Sequence, residues 1–393
     1  METIKSFWIP LALASGVLGA AQVLSDRPGG RTLAFALLAG AALGFVLQRS
    51  RFCFFCHARD FFERGDPRGL LAIILAIVVG TVGYHIILGN WLPVPTPGRL
   101  PPDAHIGPVS WALALAGAAF GLGMVISGSC ISAHWYRLGE GSAVAPFALL
   151  GAAGGFILGF ITWNPLYTAT IATAPVWWLP HGLGYGGSLL AQLGVLALLA
   201  AGLWRSWPRA EPVPPPARFS EVLRNLFVGR WPYWIGGLAV GLIGAFIILR
   251  LQPLGVTAAL GGAARALAAS QGWIPVRLEG LDGFSGCATA PAASRPTPNA
   301  LLIVGLVTGS LSAALASRQF EPRWPTGVDV GRGLVGGLLL GWGAMTGLGC
   351  TIGTLLSGTM AGAVSGWVFG AAVFFALWLG LKIQALLFPT TPS

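Results

Sequence analysis

The chain has 393 residues, of which 55% are hydrophobic and 9% charged, with a net charge of +10 and a mean hydropathy of +0.74. A soluble domain carries about 25% charged residues, so the composition excludes a water-soluble fold and indicates an all-α integral membrane protein. The positive charge does not indicate nucleic acid as a partner, because the arginines lie in short links between apolar blocks, where they orient spans in a lipid bilayer.

Crossing a hydrocarbon core takes about 20 apolar residues as a helix, and such blocks recur throughout. They predict ten transmembrane helices near 7–25, 32–48, 69–90, 109–127, 142–162, 187–204, 233–250, 299–317, 331–348 and 361–388. The first block reads as a retained span, since no convincing small-residue cleavage site follows it. Residues 205–231 combine Arg205, Arg209, Arg218, Arg224 and Arg230 with Pro212-Val213-Pro214-Pro215-Pro216. They read as a cytoplasmic linker between a first membrane repeat, 1–204, and a second, 232–393. Residues 251–298 are semi-apolar and rich in Gly and Ala, so part of them is expected to dip back into the membrane.

Orientation follows from the arginines. Arg49, Arg51, Arg59, Arg64 and Arg68 follow the second span, and Arg318, Arg323 and Arg332 lie in the link after the eighth. With the linker arginines they fall on one side, which the positive-inside rule makes cytoplasmic, together with both termini. Arg265, Arg277 and Arg295 fall on the other side, in a link long enough to be weakly constrained.

An internal repeat is visible. Gly121-Leu122-Gly123 leads to Cys130 as Gly341-Trp342-Gly343 leads to Cys350, both at an offset of 220 residues, and Ala143-Val144 matches Ala363-Val364 at that offset. Leu43-Gly44-Phe45-Val46-Leu47 resembles Ile243-Gly244-Ala245-Phe246-Ile247. Spans four and five thus match nine and ten. An odd offset reverses direction, so the two repeats are inverted, an arrangement many transporters use with the substrate site at the midplane.

There are five cysteines, Cys53, Cys56, Cys130, Cys287 and Cys350. An odd number in mostly apolar surroundings does not form a disulfide framework, and a buried cysteine is ordinarily a small hydrophobe. Cys130 and Cys350 depart from that reading because each follows a long apolar segment broken at glycine, Gly128 or Gly349. A broken helix is tolerated in a membrane only against protein or water, and its restart turns backbone N–H groups and a positive dipole end toward an anion. Cys53 follows the end of span two in Arg51-Phe52-Cys53-Phe54-Phe55-Cys56-His57. This segment also reads as C-x-x-C-H, the c-type haem pattern, but the arginines place it on the side where haem is not attached. Cys287, in the outer link, is a candidate gate thiol. No finger-like second pair supports zinc, and no phosphate-binding glycine loop supports ATP-driven transport within the chain.

Arg49-Ser50-Arg51-Phe52-Cys53-Phe54, Ser127-Gly128-Ser129-Cys130 with Tyr136-Arg137-Leu138-Gly139-Glu140-Gly141, and Gly347-Leu348-Gly349-Cys350-Thr351-Ile352-Gly353 with Leu356-Ser357-Gly358 resemble the YeeE/YedE family of bacterial inner-membrane proteins, over about residues 32 to 380. The resemblance implies uptake of thiosulfate or a related sulfur anion, an hourglass of inverted repeats with short re-entrant helices, and a central path lined by three cysteines, matched by Cys53, Cys130 and Cys350. It implies a small cytoplasmic sulfur-carrier protein as partner; the residues themselves call for no cofactor. The chain departs from the family pattern at Phe55-Cys56-His57 and at Cys287.

A buried thiol stays protonated and is a weak donor, so it suits a soft terminal sulfur that must bind and then leave. The expected mechanism is a non-covalent relay from Cys350 through Cys130 to Cys53, with Arg51 attracting the anion. A competing reading is a membrane sulfurtransferase that carries persulfide on Cys53 or Cys56. Arg137 and Glu140 are spaced as an i, i+3 pair. Trp163, Trp177, Trp178, Trp204, Trp207, Trp231 and Trp234 near span ends read as interface belts, and Asp60, Glu63 and Asp66 as partners of arginines on a solvated face.

Overall fold

The computed structural model describes residues 8–207, 226–284 and 296–387. Cys287, Arg295 and the linker residues Arg209, Arg218 and Arg224 lie outside the described residues.

The regular elements among these residues are helical. In chain order they are α1 (Trp8–Ser25), α2 (Gly30–Ser50), α3 (Phe54–Arg64), α4 (Arg68–Trp91), α5 (Trp111–Ser127), α6 (Ile131–Gly139), α7 (Ala145–Leu166) and α8 (Leu179–Trp204). There follow α9 (Tyr233–Arg250), α10 (Ala258–Ser270), α11 (Pro298–Ala316), α12 (Gly327–Thr346) and α13 (Val364–Leu387), with π-helical turns at Tyr167–Ile171 and Thr351–Gly358. Nine of the described helical stretches are long and apolar enough to cross a membrane, ten if α12 and the bent segment after it count as one. The protein is therefore a multi-pass membrane protein. The ten expected spans fall on these helices, most within a few residues. Span six differs most, since α8 begins at Leu179 and carries a non-helical Gly184.

Local signals set the ends. Ser110 accepts from the Leu113 N–H at 3.2 Å to start α5, Thr297 accepts from the Ala300 N–H at 3.1 Å to start α11, and Thr326 with Asp329 forms a capping box on α12. Outside the spans, Asp66 accepts from the Arg68 backbone N–H at 3.0 Å and its guanidinium at 2.8 Å. The Arg68 guanidinium holds the Asp66 carboxyl below the usual carboxylate range. Arg59 pairs with Asp60 at 3.2 Å and Glu63 at 3.9 Å, so this face is the solvated charge cluster expected.

The packing repeats under an exchange of helices. If α2, α4, α5 and α7 are swapped with α9, α11, α12 and α13, the contact of α12 with α7 becomes that of α5 with α13, and the contact of α11 with α2 becomes that of α4 with α9. The short elements obey the same exchange, α3 with α10 and α6 with the segment Thr351–Gly358. Glycines make these contacts close. A Cβ on Gly341 would stand 2.0 Å from the Ala152 carbonyl oxygen, and one on Gly155 2.1 Å from that of Leu338. Close backbone approach over small residues is how helices associate in lipid, where burial of apolar surface adds little.

Two tryptophans depart from the expected belt. Trp163 and Trp178 are buried, because Trp163 donates Nε1–H to the Glu279 carbonyl at 2.8 Å and Trp178 to that of Ala361 at 2.7 Å. Trp177, Trp204, Trp207 and Trp234 are exposed, as a belt requires.

Candidate functional site: three thiols at helix starts

Four long helices, α2, α5, α9 and α12, are each interrupted and followed by a short helical segment. Cys53, Cys130 and Cys350 each occupy the residue immediately before such a segment, in extended backbone. All three have 0% exposure. The fourth break, Leu251 to Thr257, carries no thiol; Thr257 precedes α10 there. The sequence shows this break only as a semi-apolar stretch, since it lacks the Gly-Cys signature.

Glycines shape two of the breaks. Gly128 ends α5 with φ 78°, in the left-handed region, which glycine adopts without a side-chain penalty. Gly349 is small for another reason, since a Cβ there would come within 2.6 Å of Thr354 Oγ1 and 3.0 Å of the Thr354 nitrogen. After it, the Thr354 and Leu355 N–H groups both reach the Cys350 carbonyl, at 2.8 and 3.4 Å. Such π-type turns recur at functional sites.

Cys53 and Cys130 form a pair, with Sγ atoms 4.0 Å apart. Hydroxyls surround it. Ser129 Oγ lies 3.8 Å from Cys53 Sγ, and Ser132 Oγ 3.1 Å from Cys130 Sγ. Cys350 stands by the other pair of breaks, beside Val256 and Thr257. The two groups are tied together where Trp135 on α6 donates Nε1–H to the Val256 carbonyl at 3.0 Å. Among the described residues, Thr351 Oγ1 and both ring nitrogens of buried His134 have no hydrogen-bond partner. A buried polar group left unpaired costs about 1–3 kcal/mol, so these atoms are open to a polar guest. A cleft lined by His105, Gly107, Trp163, Thr346, Gly347 and Thr354 lies against the Cys350 break.

The polar contacts of Arg137 differ from expectation. Arg137 does not pair with Glu140. Its side chain runs back along α6, donating Nη2–H to Cys56 Sγ at 3.1 Å and Nη1–H to the Gly128 carbonyl at 3.3 Å. Glu140 instead accepts from Gln48 Nε2 at 3.2 Å, and the same nitrogen reaches Gln319 at 2.9 Å. Arg49, which the sequence did not single out as a site residue, is buried and donates to Gln48 Oε1 at 3.3 Å and to the Gly229 carbonyl. Arg51 is exposed with φ 51°. His57 is buried against Phe52 and Tyr233, with its ring where a Gly69 Cβ would fall. With Cys53 at 0% exposure and His57 at 2%, C-x-x-C-H is packed as core and does not fit a haem.

The family model described as sulphur transport matches residues 49–379. The thiosulfate transporter TsuA of Escherichia coli is 27% identical over 373 residues, covering 87% of this chain and 92% of that protein. TsuA of Spirochaeta thermophila is 28% identical over 363 residues, covering 87% and 95%. The probable transporter YedE of Escherichia coli is 29% identical over 140 residues, covering 35% and 31%. The matched span contains Cys53, Cys130 and Cys350, and the chain belongs to the sulphur transport (YeeE/YedE) family.

Proposed function

We propose that the chain takes up thiosulfate, or a closely related small sulfur anion, across the bacterial inner membrane along its three buried thiols. The observation that carries this reading is the placement of Cys53, Cys130 and Cys350, each fully buried and each at the start of a helical segment. A helix start offers partial positive charge and free N–H groups to an anion. Cysteine sulfurs offer weak, soft contacts to a terminal sulfur. Two relatives named as thiosulfate transporters support the substrate class.

In this reading the anion passes non-covalently from the cleft by Cys350 to Cys130 and then Cys53. The arginine-rich links set the inner side, so both termini are cytoplasmic. In chain order the protein divides into 1–204, the linker 205–231 and 232–393, and a small cytoplasmic sulfur-carrier protein receives the product. Radiolabelled thiosulfate uptake into sealed vesicles tests the relay. Cys350→Ala should lower the rate at least tenfold, and uptake unchanged by that substitution would overturn the relay.

A further inference from the structure

We propose that Arg137 and Cys56 form an anion site beside the Cys53–Cys130 pair, on its less enclosed, inner side. The guanidinium takes the oxygens of a sulfur oxyanion and the Cys56 thiol faces its terminal sulfur. The proposal rests on the transport reading above and deepens it.

Arg137 lies seven residues after Cys130 on α6, but its side chain runs back to the Gly128 carbonyl at the Cys130 break. Cys56 lies one turn after Cys53 on α3. The Arg137 guanidinium and the Cys56 thiol, which contacts Cys53, therefore meet at 3.1 Å beside the thiol pair. Both are half-buried, whereas the thiol pair is fully buried. The site is thus reachable from the pair and less enclosed than it is.

Its charge is unbalanced. Among the described residues, no carboxylate makes a salt bridge with Arg137. Its partners are a thiol, the Gly128 carbonyl and the adjacent Tyr136 phenol. The carboxylate nearest in sequence, Glu140, is engaged by Gln48. Glu140 acts on Arg137 only through space, and a cation inside a membrane protein with no carboxylate bonded to it is a place to look for an ion path. Guanidinium has five N–H donors in a planar fork suited to an oxyanion. If Arg137 only capped the Gly128 carbonyl, its Nη1 contact would suffice and Cys56 would be unconnected with the substrate.

The test uses the full-length protein in sealed vesicles of both orientations, a membrane-impermeant maleimide, and Cys56→Ala to identify the labelled thiol. Cys56 should label in inside-out vesicles, and thiosulfate, but not chloride, should slow that labelling severalfold. Arg137→Gln should abolish the protection and lower uptake about tenfold, the scale of one lost charge-assisted hydrogen bond. Arg137→Lys, which keeps the charge, should retain part of both and controls for folding. Normal uptake with labelling that thiosulfate does not slow would overturn the inner site and leave the transport reading standing. Protection intact in Arg137→Gln would also overturn it. Absence of uptake by the unaltered protein would defeat the transport reading itself, and the inner site with it.

Discussion

At Gly128 a left-handed residue stops α5 three residues before α6 begins, and the Cys130 thiol depends on that stop. Alanine there would adopt the left-handed region at a cost of about 1–2 kcal/mol, with Arg332 Nη2 already 3.5 Å from the new Cβ. Gly128→Ala should therefore lower the unfolding temperature of the detergent-solubilised protein by a few degrees, measured by tryptophan fluorescence on heating. No change would mean that the break does not need this conformation. The thiols at these breaks are legible in sequence because a glycine that interrupts an apolar run, followed by cysteine, is rare without a reason. The contact between Arg137 and Cys56 is not legible, because it joins residues 81 apart. Spacing within α6 offered Glu140 instead, and the observed side chain turns back toward the break. Cys287 lies outside the described residues, and its suggested gate role stands as a proposal.

Helices were readable for a simpler reason. Lipid demands about 20 apolar residues per span, and α9, expected at 233–250, runs Tyr233–Arg250. Short segments were readable only where a motif marked them. The fourth break and α10 lack cysteine, so composition alone hinted at them, and the π-helical turn at Thr351–Gly358 has no periodic signature over eight residues. Contact between α7 and α12 depends on glycines facing carbonyls in both directions. Gly341→Val should force these helices apart and destabilise the protein by about 1–3 kcal/mol, the usual cost of overpacking. Thermal unfolding in detergent checks this, and a variant as stable as the parent would show that the interface yields freely.

The molecule as a whole is organised by the exchange that relates its two sets of helices, and each broken helix finds a counterpart under it. Three of the four counterparts carry thiols, so the path is asymmetric within a symmetric frame. Two thiols lie together, while Cys350 faces Thr257 and Val256 at the other pair of breaks. The Pro- and Arg-rich linker should be cut in inside-out vesicles and protected in right-side-out ones, giving two membrane-embedded fragments split within 205–231. Cleavage only in right-side-out vesicles would reverse the proposed orientation, and with it the direction from Cys350 to Cys53.

The most direct test of thiol-borne uptake is growth on thiosulfate as sole sulfur source in a bacterium stripped of its own thiosulfate uptake systems. The unaltered protein should restore growth, while Cys130→Ala and Cys350→Ala, present in the membrane at equal amounts, should not. Restored growth by either variant at the unaltered rate would contradict the account.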